Sequence, residues 1–217
     1  MSIVLLGKKI GMTRVFTDKG DRVPVTVISV ESGTVVYKKT LEKDGYESLQ
    51  LGFADIKEKK VTNPQKGHYE KAGVSSRKYL KESRVSKDVF EQYNVGDVIT
   101  SDVFGKGDFV DVAAKSIGKG FAGGVKRWGY RGGRDTHGSM FHRAPGSIGA
   151  SAYPSRVLKG LKLPGRMGGK RITAQSIEII ERRDEGNIII VKGSVPGPKG
   201  GIVEIRKAKK KLSASAK

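Results

Sequence analysis

The chain's 217 residues suffice for one large domain or two small ones, and a hydrophobic content of 36% supports only a modest core. Forty-two Lys and Arg against 22 Asp and Glu give a formal charge of +20, which calls for a polyanionic partner. The absence of cysteine excludes disulfides, cysteine-ligated zinc and thiol catalysis, and fits a reducing compartment. The apolar run after Met1 is too short for a signal peptide, and its lysines lie on the wrong side. No run approaches the roughly 20 apolar residues of a membrane span. A soluble cytoplasmic protein is therefore expected.

The first third reads as β-structure. Met12 to Phe16 is a short strand candidate, followed by turn residues Thr17-Asp18-Lys19-Gly20. Val23 to Glu31 is rich in β-branched residues and alternates in part. A strand pair at Thr34–Lys38 and Tyr46–Phe53 is joined through Asp44-Gly45, a hairpin cue. Asn63-Pro64 predicts a short helix to about Ala72, with Asn at the cap and Pro in the first turn. Val74 to Tyr93 is charged and of mixed character. Strand signals resume at Val95–Phe104 and Phe109–Ala114, and again at Ile172–Glu181, Ile188–Lys192 and Ile202–Arg206, with a turn at Asp184-Glu185-Gly186-Asn187. Many short strands with regular turns predict a closed or nearly closed barrel. The tail from Lys207 to Lys217 is basic, rich in small residues, and expected to fray.

Between these strand regions the composition changes abruptly. From Lys115 to Arg171, 13 Lys or Arg face a single acid, Asp135, a net charge of +12, and the same stretch holds 14 of the chain's 30 glycines. Such a segment buries too little apolar surface to offset the entropy of ordering. Strands on both sides make it an insertion within the β-body, and loops longer than about 15 residues are usually functional. Going out and back, half of these residues at about 3.3 Å each could reach roughly 90 Å at most. A membrane surface would want a basic amphipathic helix, which the glycine density opposes. Thirteen like charges repel one another unless neutralised, so nucleic acid is the expected partner. About ten phosphate contacts would give a log–log salt slope near −7 to −9.

Candidate chemistry within the segment is weak. Gly118-Lys-Gly120-Phe-Ala-Gly123 matches the dinucleotide pattern, but its sequel reads as a poor helix, and no acid lies about 20 residues on to take the ribose. Asp135, His137, Ser139 and His142 lack helical ligand spacing and a second carboxylate, so contact with RNA is preferred over metal or hydrolytic chemistry. Phe121, Trp128, Tyr130, Phe141 and Tyr153 interleave with cations. They suit either stacking on unpaired bases or a small cluster anchoring the loop. For Trp128, between Arg127 and Arg131, both readings stay open.

Gly7-Lys-Lys-Ile-Gly-Met-Thr-Arg-Val-Phe16, Gly118 to Gly123, Lys126-Arg-Trp128 and Thr136-His-Gly-Ser139 resemble segments of the bacterial ribosomal protein L3 family of large subunits. So do His142-Arg-Ala-Pro-Gly-Ser-Ile-Gly149, Pro164-Gly-Arg-Met-Gly168 and Val191 to Gly201, all in the family's order. The resemblance implies a mainly β fold: a translation-protein-type β-barrel with a short helical insertion and a long basic Gly-rich extension. It implies a barrel body over 1–117 and 172–206, with a mixed insertion at about 55–94. The extended rRNA-binding loop would be 118–171 and the basic tail 207–217.

The implied role is structural, with no catalytic residue, metal, cofactor or small-molecule substrate. The extension would thread through large-subunit rRNA towards the peptidyl-transferase centre. Binding would lie near the 3′ end of that rRNA and act early in assembly, beside neighbouring ribosomal proteins. The rRNA-binding candidates are Lys119, Lys126, Arg127, Trp128, Arg131, Arg134, His137, His142, Arg143, Arg156, Lys159, Lys162, Arg166, Lys170 and Arg171. Two departures stand out. Some members carry a methylated glutamine where this chain has Ala150, so no methylation is expected there. Gly160-Leu-Lys-Leu163 has one positive charge fewer than the family's usual run, which implies looser RNA contact at that elbow. The alternatives are a nucleotide-binding enzyme using Gly118–Gly123 and a sequence-independent DNA-compacting protein.

Overall fold

The computed structural model describes residues 3–17, 20–183 and 187–211. The turns expected at Asp18-Lys19 and Asp184-Glu185-Gly186, and the tail from Leu212 onward, lie outside the described residues. The chain divides into two compact units, Met1–Lys115 with Arg171–Lys217, and Ser116–Lys170.

In the first unit, strands β1 (Val4–Phe16), β2 (Arg22–Val30) and β3 (Gly33–Lys39) lead through a one-turn helix, α1 (Leu41–Asp44), to β4 (Ser48–Asp55). Helix α2 (Asn63–Ala72), strand β5 (Arg77–Ser83), helix α3 (Lys87–Gln92) and the two-residue β6 (Val98–Ile99) follow, and then β7 (Phe109–Lys115). The second unit contributes β8 (Phe121–Ala122), α4 (Gly124–Trp128) and β9 (Gly165–Arg166). The first unit resumes with β10 (Arg171–Arg183), β11 (Ile188–Lys192) and β12 (Ile202–Lys207).

Six strands close into a barrel in the order β1-β12-β7-β10-β11-β2, which leaves no free sheet edge around the ring. The mainly β expectation therefore holds. A second sheet, ordered β5-β4-β3-β6, shares one hydrophobic core with the barrel. Leu5, Ile28, Ile179, Ile189 and Ile205 from the barrel strands are fully buried in that core with Val35, Leu49, Leu51 and Phe53 of the second sheet. The start of β3 runs so close to Phe53 that a Cβ on Gly33 would stand 2.7 Å from its ring.

Several local expectations are corrected. β1 begins at Val4 rather than Met12, because Gly7 and Lys8 pair with β12 and β2 despite their poor strand propensity. Asp44-Gly45 is the end of α1, with Gly45 in the left-handed conformation at φ 77°, and not a two-residue hairpin turn. Thr62, not Asn63, caps α2; the Gln65 Oε1 accepts from the Thr62 N–H at 3.2 Å and from its hydroxyl at 3.0 Å. The mixed stretch from Val74 to Tyr93 holds β5 and α3, whereas Val95–Phe104 keeps only β6 and a 3₁₀ turn at Ser101–Val103.

The buried charged groups Lys9, Asp108 and Asp111 of the body all have hydrogen-bond partners. Asp111 on β7 is 3% exposed. It accepts from the Ser176 N–H at 3.0 Å and from Arg206 at 3.4 Å, and so holds the β10 bulge between Ala174 and Ile177. No helix among the described residues is long and apolar enough to cross a membrane.

Candidate nucleic-acid interface

The basic segment leaves and re-enters the barrel at one place. Lys115, the last residue of β7, and Arg171, the first of β10, are register partners in an antiparallel ladder. Both ends of the excursion are thus held by the same pair of strands.

The 55 residues from Ser116 to Lys170 are not a featureless loop, and this corrects the expectation of a segment without structure of its own. A narrow neck forms first. Ser116 N–H donates to Lys170 O at 2.9 Å, and Lys119 N–H to Met167 O at 2.9 Å. β8 and β9 then pair through Phe121 with Arg166 and Ala122 with Gly165. Glycine makes the neck possible: a Cβ on Gly168 would stand 2.1 Å from the Ile117 carbonyl oxygen.

Past the neck, α4 forms a clasp. The sequence after Gly123 reads as a poor helix, yet one turn forms and ends at Gly129 in the left-handed conformation. Its side chains secure the returning strand. The Arg127 guanidinium donates to the Leu163 carbonyl at 2.6 Å, and the Trp128 indole N–H to the same oxygen at 2.9 Å. Tyr130 donates its hydroxyl proton to the Lys162 carbonyl at 2.6 Å. Arg127 also lies over the Trp128 ring, 4.9 Å from its centroid. For Trp128 the anchoring reading is the one this structure displays, although the residue remains 43% exposed.

Residues 131–161 contain neither helix nor strand. They are ordered locally by short contacts, such as the Gly133 N–H donating to His142 O at 2.9 Å. A Cβ on Gly133 would fall 1.5 Å from the Phe141 carbonyl oxygen, so only glycine fits there. His142 Nδ1 lies 3.4 Å from Asp135 Oδ1. Among the described residues no group of three or more His, Cys, Asp or Glu could hold a metal ion.

The candidate side chains are displayed along this unit. Lys119, Lys126, Arg131, Arg134, His137, His142, Arg143, Arg156, Lys159, Lys162, Arg166 and Lys170 are exposed, and Arg127 is half-buried in the clasp. Arg171 belongs to the other unit and is engaged with Glu204 at 2.5 Å. With Asp135 its single acid, the unit carries cations that have no internal counter-charge. The apolar side chains it exposes are also unusual for a soluble surface: Met140 is 98%, Tyr153 88% and Phe121 81% exposed.

Comparison with known proteins settles the family. The family model described as Ribosomal protein L3 matches residues 80–185, from within β5 through the whole extension and β10. The large ribosomal subunit protein uL3 of Syntrophus aciditrophicus is 50% identical over 97% of this chain and 95% of that protein. The chain belongs to the ribosomal protein L3 family. The uL3 proteins of Geobacter sulfurreducens, at 48% over 93% of this chain, and of a Geobacillus species, at 48% over 95%, agree with that assignment.

In this L3-family chain two of the resembling segments, 7–16 and 191–201, prove to be one structural device. Lys9 is 9% exposed, and its ammonium donates to the Val195 carbonyl at 2.7 Å and the Gly197 carbonyl at 3.1 Å. The backbone joins in: Lys9 N–H donates to Gly201 O at 2.9 Å, and Gly200 N–H to Lys9 O at 2.7 Å. Lys9 thus acts as a clamp on the loop before β12. A pattern of basic residues near a terminus would not distinguish it from a solvated lysine.

Proposed function

We infer that this L3-family chain is a structural constituent of the large ribosomal subunit, working in the cytoplasm and performing no catalysis of its own. Within the subunit its extension, Ser116–Lys170, binds large-subunit rRNA. It joins near the 3′ end of that RNA early in assembly and reaches towards the peptidyl-transferase centre, with other large-subunit proteins as neighbours of the body.

The observation that carries the RNA-binding reading is the charge and shape of the extension. Its base is tied by its own hydrogen bonds, while its cations, Arg127 apart, are exposed and unpaired with acid inside the unit. A segment so built is pre-ordered at the neck, and its charges await phosphates that supply the missing counter-charge. Exposed Tyr153 and Phe121 offer faces on which unpaired bases can stack. Gly118–Gly123 does not support a nucleotide site, because α4 has a single turn and the sequence offers no ribose-binding acid at the required distance.

Co-sedimentation tests this reading. Tagged chain should remain with large subunits after a high-salt wash, and a chain lacking the extension should be lost. Retention of both, or saturable binding of a free nucleotide at micromolar concentration, would overturn it. Binding to double-stranded DNA that competes equally with folded rRNA at physiological salt would favour a compacting protein instead.

A further inference from the structure

The first unit carries a notch of about 330 Å³ that the extension does not account for. Lys81 of β5, Arg171 of β10, Arg206 of β12, and the flanking Arg84 and Lys209 line it. Five cations face two carboxylates, Glu82 and Glu204, leaving three positive charges in excess.

The carboxylates organise these cations rather than cancel them. Glu204 accepts from Lys81 Nζ through one oxygen and from Arg171 Nη2 through the other, both at 2.5 Å. Burial pushes its carboxyl up, but the hydrogen bonds from Lys81 and Arg171 outweigh this and hold it below the ordinary value. Glu82 is turned to Lys39 at 2.6 Å and to the Tyr46 hydroxyl at 2.9 Å. Arg206 is steadied by buried Asp111. Arg84 lies over the Tyr46 ring, 4.6 Å from its centroid, and Lys209 stands exposed after β12. Among the described residues neither Arg84 nor Lys209 forms an ion pair, so two of the three excess charges fall on them; the third arises where Lys81 and Arg171 share Glu204.

We propose that this notch on the barrel body is a second RNA site that seats a backbone phosphate of large-subunit rRNA. Arg84 and Lys209 contact the phosphate, and Lys81 and Arg171 are held in place by Glu204. Arginine forks match phosphate oxygens, and cations already ordered by ion pairs lose less freedom on binding. The site rests on the reading that this chain binds rRNA, but it uses residues outside the extension.

The test is a salt titration of the full chain against a large-subunit rRNA fragment. It compares the parent with R84A/K209A, R84K/K209R and an extension variant, R131A/R134A. Loss of two phosphate contacts should flatten the log–log slope by roughly 1.4 to 1.8 for R84A/K209A, and R84K/K209R should keep the parent slope. RNA should also slow acylation of Lys209. If only R131A/R134A flattens the slope and Lys209 acylates at the same rate with and without RNA, the notch is not an RNA site while the extension reading stands. If neither variant changes the slope, the rRNA reading fails and takes this proposal with it. If oligo-aspartate protects Lys209 as well as the RNA fragment does, the occupant is an acidic protein segment and the proposal is overturned.

Discussion

Excision of the extension is the perturbation whose outcome the structure specifies most fully. Lys115 and Arg171 are register partners, and Ser116 bonds to Lys170 just beyond them. Replacing residues 117–169 by Asn-Gly should therefore close β7 and β10 as a hairpin with a two-residue turn. The body keeps its shared core, so far-ultraviolet circular dichroism and a cooperative denaturant transition should persist. Of the 13 basic residues between Lys115 and Arg171, those two lie in the body, which leaves 11. The cut keeps Lys170, and Arg127 is spent on the Leu163 carbonyl, so it removes nine that are free to meet phosphates. At 0.7 to 0.9 per contact the excised chain should lose roughly 6 to 8 from the log–log salt slope of rRNA binding. Across a fourfold rise in salt the parent should weaken through these contacts by roughly ten-thousand- to hundred-thousand-fold. Filter binding at several salt concentrations reads both slopes. A loss of slope below about 2, with the body folded, would refute the assignment of the extension's cations to phosphate contact.

Lys9→Met keeps the aliphatic stem but leaves the Val195 and Gly197 carbonyls without their donor, and should cost about 1–3 kcal/mol in denaturant unfolding. Gly133→Ala forces the Phe141 carbonyl away, so proteolysis within 131–143 of the free chain should accelerate while the body's unfolding midpoint stays unchanged. Glu82 and Glu204 both have carboxyls held below the ordinary value of 4.5, Glu82 chiefly by the hydrogen bond from Lys39, and Glu204 by its two cations against the opposing effect of burial. Their stabilising effect is therefore complete above that value and is lost as pH falls through the lowered ones. An acid titration should show the parent losing stability below about pH 4.5, and less steeply in Glu204→Gln.

The parts of the fold that sequence reveals are those governed by local pattern. β2, β7, β11 and β12 follow from β-branched runs whose alternate residues enter the core, such as Val25, Val112, Ile189 and Ile205. The extension is legible because charge and glycine content change together at Lys115. The rest depends on contacts between distant residues. The first half of β1 is hidden by Lys8 and Lys9, since the strand's partners and the carbonyls that satisfy Lys9 lie near residue 200. β5 reads as a charged stretch because Lys81 answers Glu204, more than 120 positions away. The clasp is obscured for a similar reason. Gly124 and Gly129 depress helix propensity, while the Leu163 carbonyl that rewards the turn lies on the returning strand. Arg171 was legible as a basic residue, but its engagement with Glu204 was not.

The central claim is that the extension meets large-subunit rRNA along its length and carries its far residues towards the peptidyl-transferase centre. Met140, 98% exposed in the stretch without helix or strand, is the position at which to ask. A photoreactive amino acid placed there, in chain reconstituted into large subunits, would be cross-linked and its RNA partner mapped. The account predicts cross-links to large-subunit rRNA that cluster in the region of the peptidyl-transferase centre. Cross-links confined to ribosomal proteins or to RNA on the subunit surface would contradict it.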